Sequence, residues 1–149
     1  MNQASFLTSL RLIVANTWTD VPANGIYTPL ELSRVNFERK AVDGDLPLAI
    51  IDWQMRPSTD WGFANRVQEG EITIWYVCDD SEDLEDTTFV RVGALRDALL
   101  TTGLTYGQVV GECVAEIGLE LPPNTYFASQ QRPYQAGRVT AHVVAGEQR

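Results

Sequence analysis

The segment Glu71–Cys78 constrains the fold more than any other stretch of the chain. Ile72, Ile74 and Tyr76 recur at every second position, and Thr73, Trp75 and Val77 alternate with them. Successive strand residues point to opposite faces, so a strand here carries bulky groups on both sides. Such a strand belongs in the middle of a sheet, under helices on one face and against a second cover on the other. A neighbouring chain is one candidate for that cover.

The other elements fall into place around it. Phe6, Leu7, Leu10, Ile13, Val14 and Trp18 recur at three- and four-residue spacing and predict a helix over Ala4–Trp18, closed by Asp20 and Pro22. Partial alternation through Leu32, Val35 and Phe37 predicts a short strand within Leu30–Val42. Leu46–Trp53 reads as a mostly apolar strand, and Met55–Gly70 as a long hairpin loop. A second helix is expected over Thr87–Thr101, with Phe89, Val92, Leu95 and Leu99 buried and Arg91, Arg96 and Asp97 outward. Val109–Leu119 and Gly137–Ala145 alternate as strands around the bend at Pro122-Pro123-Asn124. No repeat or linker divides the 149 residues. The expectation is one α+β domain, a two-layer sandwich of a mainly antiparallel sheet with packed helices, in the order α-(β)-β-β-α-β-β.

Charge narrows the partners. Twenty acidic residues face eleven basic ones for a formal charge of -9, and Lys40 is the only lysine. Such a field generally repels nucleic acid, whose recognition needs clustered Lys and Arg. An acidic wall past which DNA slides is compatible with it. No stretch approaches the roughly 20 apolar residues of a membrane span, and the first thirty residues lack the pattern of a leader. A soluble, unexported chain with no membrane partner is expected.

The residues supply no catalytic constellation. Six carboxylates occupy the eight positions Asp79–Asp86, just ahead of the second helix, where acidic groups favour a helix N-terminus. Asp79, Ser81 and Asp83 have the first alternations of a calcium loop, but the central glycine and closing glutamate are missing. The run reads as a solvated helix entry. His142, the sole histidine, sits on a terminal strand. Cys78 and Cys113 lie in apolar strand segments and read as buried free thiols, with a disulfide open if their strands are neighbours. Either could pair with His142, yet neither is at a helix N-terminus, where a thiolate is easier to form. Glu112 and Glu116 would stand about 13 Å apart on one strand, too far for a direct acid pair. Asp52 reads equally well as a catalytic carboxylate and as the polar end of a strand. No phosphate-binding glycine loop or zinc spacing is present, so no catalytic, cofactor or metal residue is nominated.

Interaction features are stronger. Trp53 and Trp75 suit the core, whereas Trp61, Phe63 and Tyr134 fall in long loops with Arg66 and Arg132 close by. Aromatics and arginine often dominate protein interfaces. These five residues are the interface candidates.

An amphipathic first helix, the strand Leu46-Pro47-Leu48-Ala49-Ile50-Ile51, the strand Ile72-Thr73-Ile74-Trp75, the helix Leu95-Arg96-Asp97-Ala98-Leu99 and a closing hairpin follow one another here. In size and element order the chain resembles the tail terminator, or tail completion, proteins of tailed bacteriophages. Met55–Gly70, Leu30–Val42 and Pro122–Tyr134 depart from that compact pattern. The resemblance implies a structural virion protein, not an enzyme. It would form a homo-hexameric ring that caps the tail tube and joins it to the head-tail connector. It would be assembled in the host cytoplasm and located at the tail-neck junction, with no cofactor. The implied partners are its own copies, the tail tube protein and connector proteins, with DNA passing through the ring unread. Another neck or minor tail component is the nearest alternative; a ligand-sensing or adaptor domain is a more distant one.

Overall fold

The strand expected over Glu71–Cys78 is central and longer than expected. β3 runs Val67–Asp79 between β2 (Leu48–Pro57) and β5 (Tyr134–Gly146) in a sheet that has five strands among the described residues, in the order β1-β2-β3-β5-β4, with β1 at Ile26–Tyr27 and β4 at Gly107–Ile117. All pairings are antiparallel except the short β1–β2 contact. The computed structural model describes residues 3–31, 47–57, 67–79, 84–101, 107–117 and 134–146. The fold is α+β, and the order of its long elements matches the expected one.

Helices cover one face. α1 spans Gln3–Thr17 and buries Phe6, Leu10, Ile13 and Val14, with Trp18 buried just past its end. α2, Val90–Thr101, buries Val92, Leu95 and Leu99. Both pack with Ala49 and Ile51 of β2, Ile72, Ile74, Tyr76 and Cys78 of β3, and Val139, Ala141 and Val143 of β5. The opposite parity carries a second cluster at one end of the sheet: Leu48, Ile50, Trp75, Val77 and Ala136. These residues are buried within the single chain, so no neighbouring chain is needed to cover Trp75 and Val77.

Several expectations are corrected. The hairpin loop does not begin at Met55: Met55 pairs with Gly70, Arg56 with Glu69 and Pro57 with Gln68, leaving residues 58–66 between the strands. Of these pairs Arg56–Glu69 is polar on both sides, and Gly70 and Pro57 are poor strand formers, so neither hydropathy nor propensity marks the segment as strand. Leu30 and Glu31 belong to a helical turn, not a strand, and the rest of the Leu30–Val42 expectation lies outside the described residues. The turn starts with a capping box. Thr28 N–H donates to Glu31 Oε1 at 3.0 Å and Glu31 N–H donates to Thr28 Oγ1 at 3.2 Å, with Pro29 at the first helical position.

The second helix starts earlier than Thr87, with a π-helical turn over Leu84–Phe89. The wider turn shifts the phase of the stripe. Thr88 takes the buried position at 0% exposure, and Phe89, expected in the core, is 60% exposed. Arg91, expected outward, is half-buried against Asp20. β4 carries two extra residues between Val109 and Cys113, which pair with Val143 and Ala141. An even insertion leaves the facing of the strand unchanged across the irregularity.

Candidate assembly surface

Of the five interface candidates, Tyr134 is the one among the described residues, at the start of β5. Trp61, Phe63, Arg66 and Arg132 lie outside the described residues. Arg66 is bonded to Val67, the first residue of β3, whereas Tyr134 opens β5 opposite Asp79, the last residue of β3. Twelve residue steps of strand separate these two ends, about 40 Å at the usual rise.

Among the described residues the chemistry-bearing side chains are dispersed. Cys113 pairs with Ala141 on the helix-covered face, so His142, the next residue of β5, points to the other face. There its Nε2 lies 3.7 Å from Glu69 Oε2. Burial pushes the Cys113 thiol up, which disfavours the thiolate a nucleophile needs. Cys78 is buried with its Sγ 3.5 Å from Thr88 Oγ1, and neither cysteine is in a disulfide. Asp52 shares the face of His142 and is pushed up by burial, partly countered by a hydrogen bond from the Trp53 backbone. Among the described residues no three His, Cys, Asp or Glu side chains converge as metal ligands. Asp80–Asp83 of the acidic run lie outside the described residues.

Polar contacts on the covered face are structural ties. Thr88 Oγ1 donates to Gln135 Oε1 at 3.1 Å, seating the π-helical turn on β5. Trp18 Nε1 donates to the Arg91 carbonyl at 2.7 Å, and Tyr76 donates its hydroxyl proton to Asp20 Oδ2 at 2.5 Å. Arg91 Nε stands 3.2 Å from Asp20 Oδ1 without hydrogen-bond alignment, so charge holds that pair. Beyond the Trp75 cluster the other face is largely polar, Val114 and Val144 apart: Gln54 and Glu71 are exposed, Asp52, Glu69, Thr73, Thr140 and His142 half-buried. Arg138 Nε donates to Glu116 Oε1 across β5 and β4 at 2.6 Å.

The flank formed by α2 and β4 exposes several large apolar side chains. Phe89, Leu100, Val114 and Ile117 are 60, 54, 45 and 37% exposed. Sequence reasoning assigned Phe89 to the core and gave Leu100 no role. The available signal was the apolar content of α2 outside its Val92, Leu95 and Leu99 stripe, where Val90 and Leu100 stand off the core face. Comparison with protein-family models and with curated proteins gives no match to this chain.

Proposed function

We propose that the chain is a ring-forming tail terminator, closing the end of a bacteriophage tail tube and joining it to the head connector. The observation that carries this reading is the order of the long elements. A helix, two paired strands, a second helix and a closing antiparallel pair build one sheet with both helices on the same face. That is the order on which the resemblance rests. The net charge of -9 suits a passage for DNA that does not retain the phosphate backbone. Rings need two unlike surfaces per copy, because a head-to-tail contact repeats by rotation until it closes.

Electron microscopy of tails assembled with and without the chain tests the reading. The expected result is a closed ring at the connector-proximal end of the tube. Tubes that end without it, or a chain bound elsewhere along the tail or neck, overturn the terminator role, and the second outcome favours another neck component. In the same assay Trp61→Ala should impair capping more than it impairs folding, since one buried aromatic anchor can dominate an interface. Equal capping by W61A removes Trp61 from the contact and leaves the terminator role standing.

A further inference from the structure

The flank carrying β4 combines two features that the described residues of one chain leave uncovered. One is a strand edge. β4 pairs with β5 on one side, and among the described residues no strand pairs with its other side. From Cys113 to Ile117 its side chains are half-buried or exposed, while β5 behind it alternates between buried and half-buried. Natural edge strands are usually blunted by lysine, proline or an inward charge. Cys113-Val114-Ala115-Glu116-Ile117 has no lysine or proline, and Glu116 is already paired with Arg138.

The second feature is an apolar ridge on the helix above that edge. α2 sets Val92, Leu95 and Leu99 on the sheet and turns Arg91 towards α1, through the Trp18 and Asp20 contacts. By helical spacing, Phe89, Gly93 and Leu100 then share the flank away from α1. α2 packs on β4, so that flank overhangs that edge. Outside its own stretch of helix, nothing lies within 4 Å of where a Cβ at Gly93 would stand, which leaves the ridge open between Phe89 and Leu100.

The opposite flank offers a complement. β1 pairs only with Ala49 and Ile50 of β2, and among the described residues no strand pairs with that side of Ile51–Pro57. Because β2–β3, β3–β5 and β5–β4 are all antiparallel, β2 and β4 run in opposite directions. A second copy set beside the first in the same orientation therefore presents its β2 antiparallel to β4. We infer that the β4 edge of one copy pairs with the Ile51–Pro57 edge of the next, the Phe89–Leu100 ridge covering the junction, so that a continuous sheet runs from subunit to subunit. This rests on the ring reading and names the lateral contact within it. The occupant is a second copy because the two edges differ, have opposite sense and lie on opposite flanks, which is the geometry of a contact that repeats head to tail.

Cysteine trapping tests the pairing in the full chain, free at high concentration and bound to tail tubes. Gln54 and Val114 both lie on the polar side of the sheet, so Gln54→Cys with Val114→Cys, on a Cys113→Ser background, puts one thiol on each flank. Asp52→Cys replaces Gln54→Cys in a parallel variant, since a two-residue slip keeps the side chain on the same face. Oxidation should give a covalent ladder ending at a closed ring for one of these pairs and not for the single-cysteine controls. Amide exchange at 113–117 and 51–57 should slow about tenfold or more on assembly, whatever the register. Dimers formed by Val114→Cys alone would mean that β4 pairs with itself and would overturn the inference. Closed rings with no ladder and unchanged exchange would overturn it while leaving the ring reading intact. A chain that neither associates nor caps tubes would end both.

Discussion

Trp18 and Tyr76 meet edge to face, their ring centroids 5.2 Å apart and their planes at 68°. Each uses its polar atom on a different neighbour: the indole N–H on the Arg91 carbonyl of α2, the phenol on Asp20 beyond α1. Sheet, first helix and second helix are thereby tied at one corner, with both rings buried and their hydrogen-bonding groups satisfied, as burial requires.

Alkaline stability should report on this corner. Burial, with the Asp20 carboxylate beside it, raises Tyr76 well above its ordinary value. The folded chain thus prefers the neutral phenol, and the stability this provides is complete below about pH 10 and lost as pH rises further. Tyr76→Phe removes the group that ionises. Urea unfolding from pH 7 to 11 should show a flatter alkaline limb for Y76F, with a loss of about 0.5–1.5 kcal/mol at neutral pH from the missing hydrogen bond. Parallel pH curves for the two proteins would contradict the assignment.

Two glycines make a matched pair. A Cβ at Gly137 would stand 2.7 Å from Val92 Cγ1 and 2.8 Å from Thr88 Cγ2, so α2 and the π-helical turn sit directly on the β5 backbone there. Gly137→Ala should cost roughly 1–3 kcal/mol by overpacking. Outside its own stretch of helix, a Cβ at Gly93 meets nothing within 4 Å, and alanine suits a helix interior better than glycine. Gly93→Ala should stabilise by about 0.5–1 kcal/mol. Equilibrium denaturation of both variants checks the sign as well as the size.

The capping box at Thr28 and Glu31 yields an acid-side test. Burial works to raise Glu31, but the Thr28 N–H and the Arg11 guanidinium outweigh it and hold the carboxyl below its usual value. The stability it provides is present above about pH 4.5 and lost as pH falls through the depressed pKa. Because the group is well exposed, its ion pair with Arg11 adds at most about 1 kcal/mol. Glu31→Gln should therefore be less stable than the native chain at pH 7 and converge with it near pH 3. Thr28→Ala, which removes the cap itself, should cost about 0.5–2 kcal/mol at both pH values.

The same segment shows what hydropathy could and could not read. Ile72, Ile74 and Tyr76 declared a central strand because one contiguous core, with a second cluster behind it, forces strict alternation on both faces. Thr28-Pro29-Leu30-Glu31 carries a capping box and a proline at the first helical position, a local signal for the helical turn that hydropathy does not register. At the Met55–Gly70 hairpin the sheet continues where its outer face turns polar, and polar pairs give no apolar signal. Of the candidate interface only Tyr134 falls on a described strand. The exposed flank of α2 and β4 was not legible because it depends on strand order and on the phase of a π-helical turn, and neither is local to the residues concerned.

Leu95 and Phe89 test that phase directly. Both are large and apolar, and α-helical spacing from Leu99 and Val92 assigned them to one buried stripe. The π-helical turn ends at Phe89 and separates them: Leu95 is fully buried in the main core, and Phe89 is 60% exposed. Leu95→Ala should cost roughly 2–5 kcal/mol, the loss of buried surface plus the cavity left behind. Phe89→Ala removes more atoms yet should change stability by no more than about 0.5 kcal/mol, as surface substitutions usually do. Its effect should appear in self-association instead, measured by sedimentation across a concentration series, because an exposed aromatic beside a strand edge is the kind of group a partner buries. Urea denaturation of the two variants under one set of conditions decides the matter. A loss at Phe89 comparable with that at Leu95 would place its ring in the core and return the second helix to a single unbroken α-helical stripe.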